Sequence, residues 1–288
     1  MTDQRFIITP DGRTLAYAEY GATDGRAVFF FHGMPGSRLF HPYDEITTRL
    51  GVRLVCVDRP GYGGSTYQPG RRILDWPGDI ATLSAKLGIG KFAVAGHSGG
   101  GPYAAACAYA LPDAVSAAAI LCSVGPAGTP GATRGMSVLN RAGFQAGHII
   151  PWPLWRILLW STYHRRCEDP AASMERDPGH RPPADEEQIS RPEVRQACVV
   201  SEIEAFRHGL LGLAWEARLL TRPWGFRLED IKIPVQIWHG TADNVASIAM
   251  AESMAGAIPN CTAIYCPGEA HLLLFPHWEE ILTWLKME

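Results

Sequence analysis

Residues 93–102 read AVAGHSGGGP, and within them Gly96-His97-Ser98-Gly99-Gly100 fits the pattern G-x-S-x-G. Glycine loses backbone entropy in any regular element. Three consecutive glycines after a serine, between an apolar run and the alanine-rich YAAACAYAL, therefore mark an unusual backbone. A nucleophile elbow has this form: the serine occupies a sharp, strained strand-to-helix turn that lifts its hydroxyl above the sheet edge, with small residues two positions away on either side. The helix that follows favours negative charge at its amino end, and the Gly99 N–H is placed to donate to a developing oxyanion.

A serine hydroxyl is a weak nucleophile at neutral pH, so this reading demands a base and a group that orients the base. The chain order expected for such an elbow is Ser, then Asp or Glu, then His. Asp243, in HGTADNVAS, follows the apolar run VQIWHG, and His271, in YCPGEAHLLL, follows the next such run. Other groups compete less well. Asp58 opens DRPGYGGS, a turn-rich loop where an aspartate caps backbone amides. Glu269 reads as an exposed loop carboxylate, and the run ending Ser123-Val124-Gly125 carries no acid. Among ten histidines, His271 is selected by position and order, while His32, His97 and His239 sit beside glycines at strand ends. FFFHGMPGSR ends an apolar run in a tight turn, which offers the Met34 N–H as a second oxyanion donor. No HExxH or other metal-ligand spacing occurs, and the chemistry asks for no cofactor and no metal.

Elements must hold these residues together. RFIIT and RTLAYAEYG flank Pro10-Asp11-Gly12 as a hairpin. After them AVFFFHG, VRLVCVD, FAVAG, VSAAAILCSVG, IPVQIWHG and TAIYCPG alternate with helix-like segments. Short runs apolar on both faces predict a parallel sheet covered by helices on both sides, an α/β architecture. The alternation breaks over 126–230, dividing the chain into a first core segment 1–125, a helical insertion 126–230 and a second core segment 231–288. The insertion carries an aromatic segment HIIPWPLWRILLWSTYH, a polar, proline-rich stretch over 165–195 and one amphipathic helix around SEIEAFRHGLLGLAWEARLL. Its aromatic residues would build a mostly apolar pocket, so Trp152, Trp155, Trp160, Phe206 and Trp215, with His97 beside the serine, are the substrate-binding candidates.

Composition sets the outer bounds. A 288-residue chain with 47% hydrophobic residues supports a sizeable core. A net charge of -3 with scattered lysines and arginines indicates neither a nucleic-acid footprint nor a polybasic membrane patch. The seven cysteines are odd in number and lack CxxC spacing, which reads as reduced thiols. The start MTDQRFIITPDGRTL has no charged region followed by an apolar one, and no apolar run reaches the roughly 18 residues of a membrane span. A cytoplasmic protein with a small-molecule substrate and no stable membrane insertion is expected, its oligomeric state left open between monomer and homodimer.

Over its whole length the chain resembles the α/β-hydrolases that carry an inserted cap. HGMPGS, DRPGYGGS, GHSGGG, WHGTADNV and GEAHLL occur in that family's order and at compatible spacing. The resemblance implies an α/β-hydrolase fold with a mostly parallel eight-stranded sheet flanked by helices, one antiparallel strand and a helical cap. It also implies a triad of Ser98, Asp243 and His271 and a pocket between core and cap. Haloalkane dehalogenases and epoxide hydrolases carry aspartate at the position of Ser98, and proline iminopeptidases carry an HGGPGG turn where this chain has HGMPGS. The expected activity is cleavage of a carboxylic ester or related acyl compound with an apolar portion, through an acyl-enzyme. C–C bond hydrolysis or lactone opening on a larger metabolite uses the same residues, and a small-molecule receptor is the alternative outside catalysis.

Overall fold

The computed structural model describes residues 5–147, 149–168 and 181–288, without the side chains of residues 139, 152, 162 and 165. Eight strands make one sheet in the order β1-β2-β4-β3-β5-β6-β7-β8. The expected hairpin is β1 (Arg5–Ile8) and β2 (Thr14–Gly21), closed by a turn in which Gly12 takes φ +83°. The other strands are β3 (Arg26–Phe31), β4 (Val52–Val57), β5 (Phe92–His97), β6 (Val115–Leu121), β7 (Val235–Gly240) and β8 (Cys261–Cys266). β2 runs antiparallel to β1 and β4, and every other pairing is parallel.

Ten described helices accompany the sheet: α1 (Asp44–Arg49), α2 (Trp76–Lys86), α3 (Gly101–Ala110), α4 (Val138–Ala146), α5 (Trp152–Glu168), α6 (Pro183–Ser190), α7 (Pro192–Ala205), α8 (Leu211–Leu220), α9 (Ile248–Ala257) and α10 (Trp278–Met287). None is long and apolar enough to cross a membrane. The period of two along a strand explains why the central strands are largely apolar. On β3, Phe29 and Phe31 pack with Ile80 and Leu83 of α2 and Tyr103 of α3. Val28 and Phe30 face the opposite layer, against Trp278, Ile281 and Leu285 of α10. Both faces of the central strands are covered, so these need no polar side, while the edge strands β1 and β8 keep exposed positions.

The register aligns the carboxyl ends of the strands. His97 of β5 pairs with Leu121 of β6, Leu121 with Trp238 of β7, and Gly240 of β7 with Cys266 of β8. The segments that follow β3, β5, β7 and β8 thus leave the sheet along one edge, where open α/β sheets bind ligands.

Helices α4 to α8 lie between β6 and β7 in the chain. The single amphipathic helix expected over 201–220 is two helices: α7 ends at Ala205 and α8 begins at Leu211. Gly209 takes φ +86° between them, a conformation that stops a right-handed helix. The break lets α8 turn Glu216 fully inward, where it receives Arg59 at 2.7 and 2.8 Å. A second, partly buried link joins Glu204 of α7 to Arg38 at 2.7 Å, and Arg38 in turn to the buried Asp58 at 2.5 Å.

Candidate active site

Ser98 follows β5 directly and takes φ +54°, the left-handed region that a side chain rarely adopts. The glycines around it are steric requirements. A Cβ on Gly96 would lie 2.3 Å from the Gly100 carbonyl oxygen, and one on Gly100 would lie 2.1 Å from that of Phe31. The backbone therefore folds tightly enough to carry Ser98 on a strained turn leading into α3.

His271, in the segment after β8, is joined to Asp243, in the segment after β7, by a 2.8 Å bond between Nδ1 and Oδ2. The other carboxylate oxygen of Asp243 accepts the N–H groups of Val245 at 2.8 Å and Ala246 at 3.0 Å. With Nδ1–H donating to Asp243, the imidazole keeps Nε2 as a proton acceptor. Burial alone would raise the Asp243 carboxyl, but His271 and these donors outweigh it and hold it below the usual aspartate range. Burial likewise opposes charge on His271, yet Asp243 and then Asp185 prevail and raise it above the ordinary histidine value. No hydrogen bond joins Ser98 to His271 in this structure; both line one cavity of about 180 Å³.

The turn after β3 closes on the same point. A Cβ on Gly33 would stand 3.3 Å from Ser98 Cβ and 3.8 Å from its Oγ, and one on Gly99 would stand 3.4 Å from Met34 N. Met34 N–H has no hydrogen-bond partner among the described residues. Arg59 fixes this turn by donating to the carbonyl oxygens of His32 and, at 2.9 Å, of Gly33. Its Glu216 partner belongs to α8, so a helix between β6 and β7 braces the turn. Burial would favour a neutral Glu216, but Arg59 and Arg71 hold its pKa at about 2.

Asp58 is committed elsewhere: its oxygens accept from Arg38 N and Nη1, both at 2.5 Å, and from Gly64 N at 2.8 Å. Cys122, His239 and Asp243 offer donor atoms within 4.8 Å of one another. They do not make a free metal cage, since Asp243 Oδ2 is taken by His271 and His239 Nε2 bonds to the Ala246 carbonyl at 3.1 Å.

Of the substrate-binding candidates, His97 lines the cavity. Burial first, then the neighbouring His271, pushes it down to a pKa of about 3, and its Nε2 meets the His271 carbonyl at 3.0 Å. The aromatic residues expected there are placed differently. Trp155 is buried against Ala214 and Ala217, its Nε1 donating to the Gly147 carbonyl at 3.3 Å. Trp160 is exposed beside His164. Phe206 packs with Tyr62 and Leu213. Trp215 donates to the Arg71 carbonyl at 3.0 Å, and the side chain of Trp152 lies outside the described residues. Helices laid over a sheet edge must bury an apolar side, and Trp155 and Phe206 serve that packing. Both ring clusters abut the Met34 side chain, which stands between them and the cavity. The wall contributed by α5 and α7 is polar instead: Arg166 pairs with the buried Glu202. Neither residue stood out in the sequence, where both belong to ordinary charged helix patterns. Asp185 was missed as well, although it accepts the N–H groups of His271 at 3.2 Å and Leu272 at 2.7 Å.

The strand order, the one antiparallel strand and the strained serine between β5 and α3 place the chain among α/β proteins whose sites lie above the carboxyl ends of the strands. Residues 26–278 match the model of the alpha/beta hydrolase fold, and the chain belongs to that family. A 123-residue stretch is 31% identical to a bifunctional esterase/perhydrolase of Acinetobacter calcoaceticus, covering 42% of this chain and 45% of that one. A 128-residue stretch is 33% identical to a non-heme chloroperoxidase of Streptomyces lividans, with 42% and 45% covered. The chain thus spans less than half the length of these curated relatives. Among solved structures, a hydrolase from Pseudomonas aeruginosa aligns with TM-score 0.71 at 20% identity, covering 98% of each chain. An esterase from Exiguobacterium antarcticum aligns with TM-score 0.71 at 20% identity, covering 99% of this chain and 100% of that one. These structural likenesses concern the fold.

Proposed function

We propose that the protein is a serine hydrolase that cleaves a carboxylic ester through an acyl-enzyme. One observation carries the reading: Ser98, on its strained turn, opens onto the same cavity as a histidine already bonded to a buried aspartate. His271 takes the proton of Ser98 as the hydroxyl attacks the carbonyl, and Asp243 holds the tautomer and stabilises the imidazolium. The N–H groups of Met34 and Gly99 receive the oxyanion, a contribution of about 3 kcal/mol per donor. His271 then protonates the leaving alcohol, and water releases the acid by the same route. The helices between β6 and β7 act as a cap over the site. A cavity of about 180 Å³ with Arg166 and Glu202 in its wall suits a short acyl group and a polar substrate portion, with Met34, Phe40 and Leu272 supplying the apolar contacts. The name of one relative points the same way, an esterase/perhydrolase that is 31% identical to a 123-residue stretch of this chain.

Hydrolysis of p-nitrophenyl esters from acetate to laurate, with Ser98→Ala in parallel, tests the reading. Turnover is expected on the short esters, and the substitution should lower kcat by about 10³-fold or more. Equal rates in the two proteins, or no turnover on any ester, would overturn it.

A further inference from the structure

We propose that Asp185 is a positioning residue for His271: from α6 its buried carboxylate holds the backbone of the segment that carries the imidazole. The inference rests on His271 being the base of the reaction above. Asp185 lies 86 residues from His271 in the chain and is 4% exposed. Its Oδ2 accepts the His271 N–H at 3.2 Å and its Oδ1 the Leu272 N–H at 2.7 Å. Consecutive N–H groups at the start of a turn have no partners within that turn, and a carboxylate bound to both forms charge-assisted bonds, about twice as strong as neutral ones.

Three separate elements then fix the histidine. Asp185 takes its N–H, His97 at the end of β5 meets its carbonyl at 3.0 Å, and Asp243 after β7 takes Nδ1 at 2.8 Å. Cys122 Sγ, after β6, adds a contact with the neighbouring Ala270 carbonyl at 3.2 Å. A buried carboxylate is costly, and an apolar contact would join α6 to this segment without that cost. What the carboxylate adds is a locked peptide and a second negative charge beside the imidazole. The ionisable groups around His271 are Asp243, His97, Asp185 and, on β7, His239, with Arg166 of α5 and Cys198 and Glu202 of α7 in the wall of the shared cavity. Asp185 acts in the same sense as Asp243, favouring the imidazolium that forms during proton transfer.

The test is Asp185→Asn, which keeps the size and removes the charge, with Asp185→Glu as the conservative partner. In p-nitrophenyl acetate hydrolysis, kcat is expected to fall about tenfold in the asparagine variant, as a loosened reacting group would cause. The acid limb of its pH profile should move to lower pH, and the glutamate variant should recover part of both effects. NMR titration of the His271 imidazole reads the same displacement without any turnover. An unchanged titration in a folded Asp185→Asn protein, or a loss confined to melting temperature, would overturn the proposal. If that variant does not fold, the unsubstituted protein decides: the amide protons of His271 and Leu272 should move together with one carboxyl ionisation, and their immobility would count against Asp185. Were Ser98→Ala to hydrolyse esters normally, the function proposed above would fail, while the NMR titrations would still judge Asp185.

Discussion

At the residue scale, the proposed mechanism makes the His271–Asp243 pair set the pH dependence. The imidazole must be neutral to accept a proton, and its pKa is raised by Asp243 and Asp185 against the pull of burial. The acid limb of kcat/KM should therefore have its midpoint above the ordinary value of 6.5, with activity lost as pH falls through it. Asp243→Asn should move that midpoint down and lower kcat by about 10³–10⁴-fold, because the amide no longer fixes the tautomer. A pH–rate profile of the two proteins measures both effects; an unshifted limb would exclude His271 as the titrating base. The residues with backbone consequences were legible in the sequence. Gly96, Ser98 and Gly100 announce a turn that only small neighbours permit, and Asp243 and His271 follow from strand order. Asp185 left no trace, because one aspartate in PPADEEQ reads like any helix-starting acid.

At the element scale, the turn after β3 depends on a guanidinium that depends on a helix far along the chain. Arg59 binds the carbonyl oxygens of His32 and Gly33 while Glu216 of α8 neutralises it, and both ionic side chains are fully buried. Glu216→Gln removes one partner of a buried pair and should lower stability by about 3–5 kcal/mol, measurable by denaturant unfolding. A change below about 1 kcal/mol, as for an exposed pair, would contradict the burial described. The pair also has a pH signature. The Glu216 carboxyl is held at about 2, below its ordinary 4.5, so its contribution is complete above pH 4.5 and is lost as pH falls towards 2. Thermal melts across that window should show the loss in the parent and not in Glu216→Gln. The strands were readable because burial on both faces writes itself as unbroken apolar runs. The helix expected over 201–220 was not, because Gly209 stops it and because the burial of Glu216 inverts the usual sense of a charged face.

At the scale of the whole molecule, the sheet collects the ends of its strands at one edge and the helices between β6 and β7 meet them there. The cavity at Ser98 is small, and acetate or butyrate esters should be turned over faster than laurate by an order of magnitude or more; a laurate optimum would mean a different binding path. The expected aromatic pocket failed for a reason visible only in three dimensions. Trp155 and Phe206 occupy a layer behind Met34, and nothing in their spacing distinguishes a ring that lines a cavity from one that roofs it. Glu216 has a wider consequence. The helices between β6 and β7 are not an interchangeable attachment: α8 neutralises Arg59, α7 supplies Glu204 to Arg38, and α6 holds the His271 backbone. Replacing them with a relative's helices would leave Arg59 without its carboxylate partner, take Glu204 from Arg38 and free two peptide N–H groups unless the replacement supplied equivalent acceptors, and the same helices on another scaffold would carry three acids without their donors. Chimaeras of this chain should be cut inside the helices' outer loops, never at the boundaries of β6 and β7.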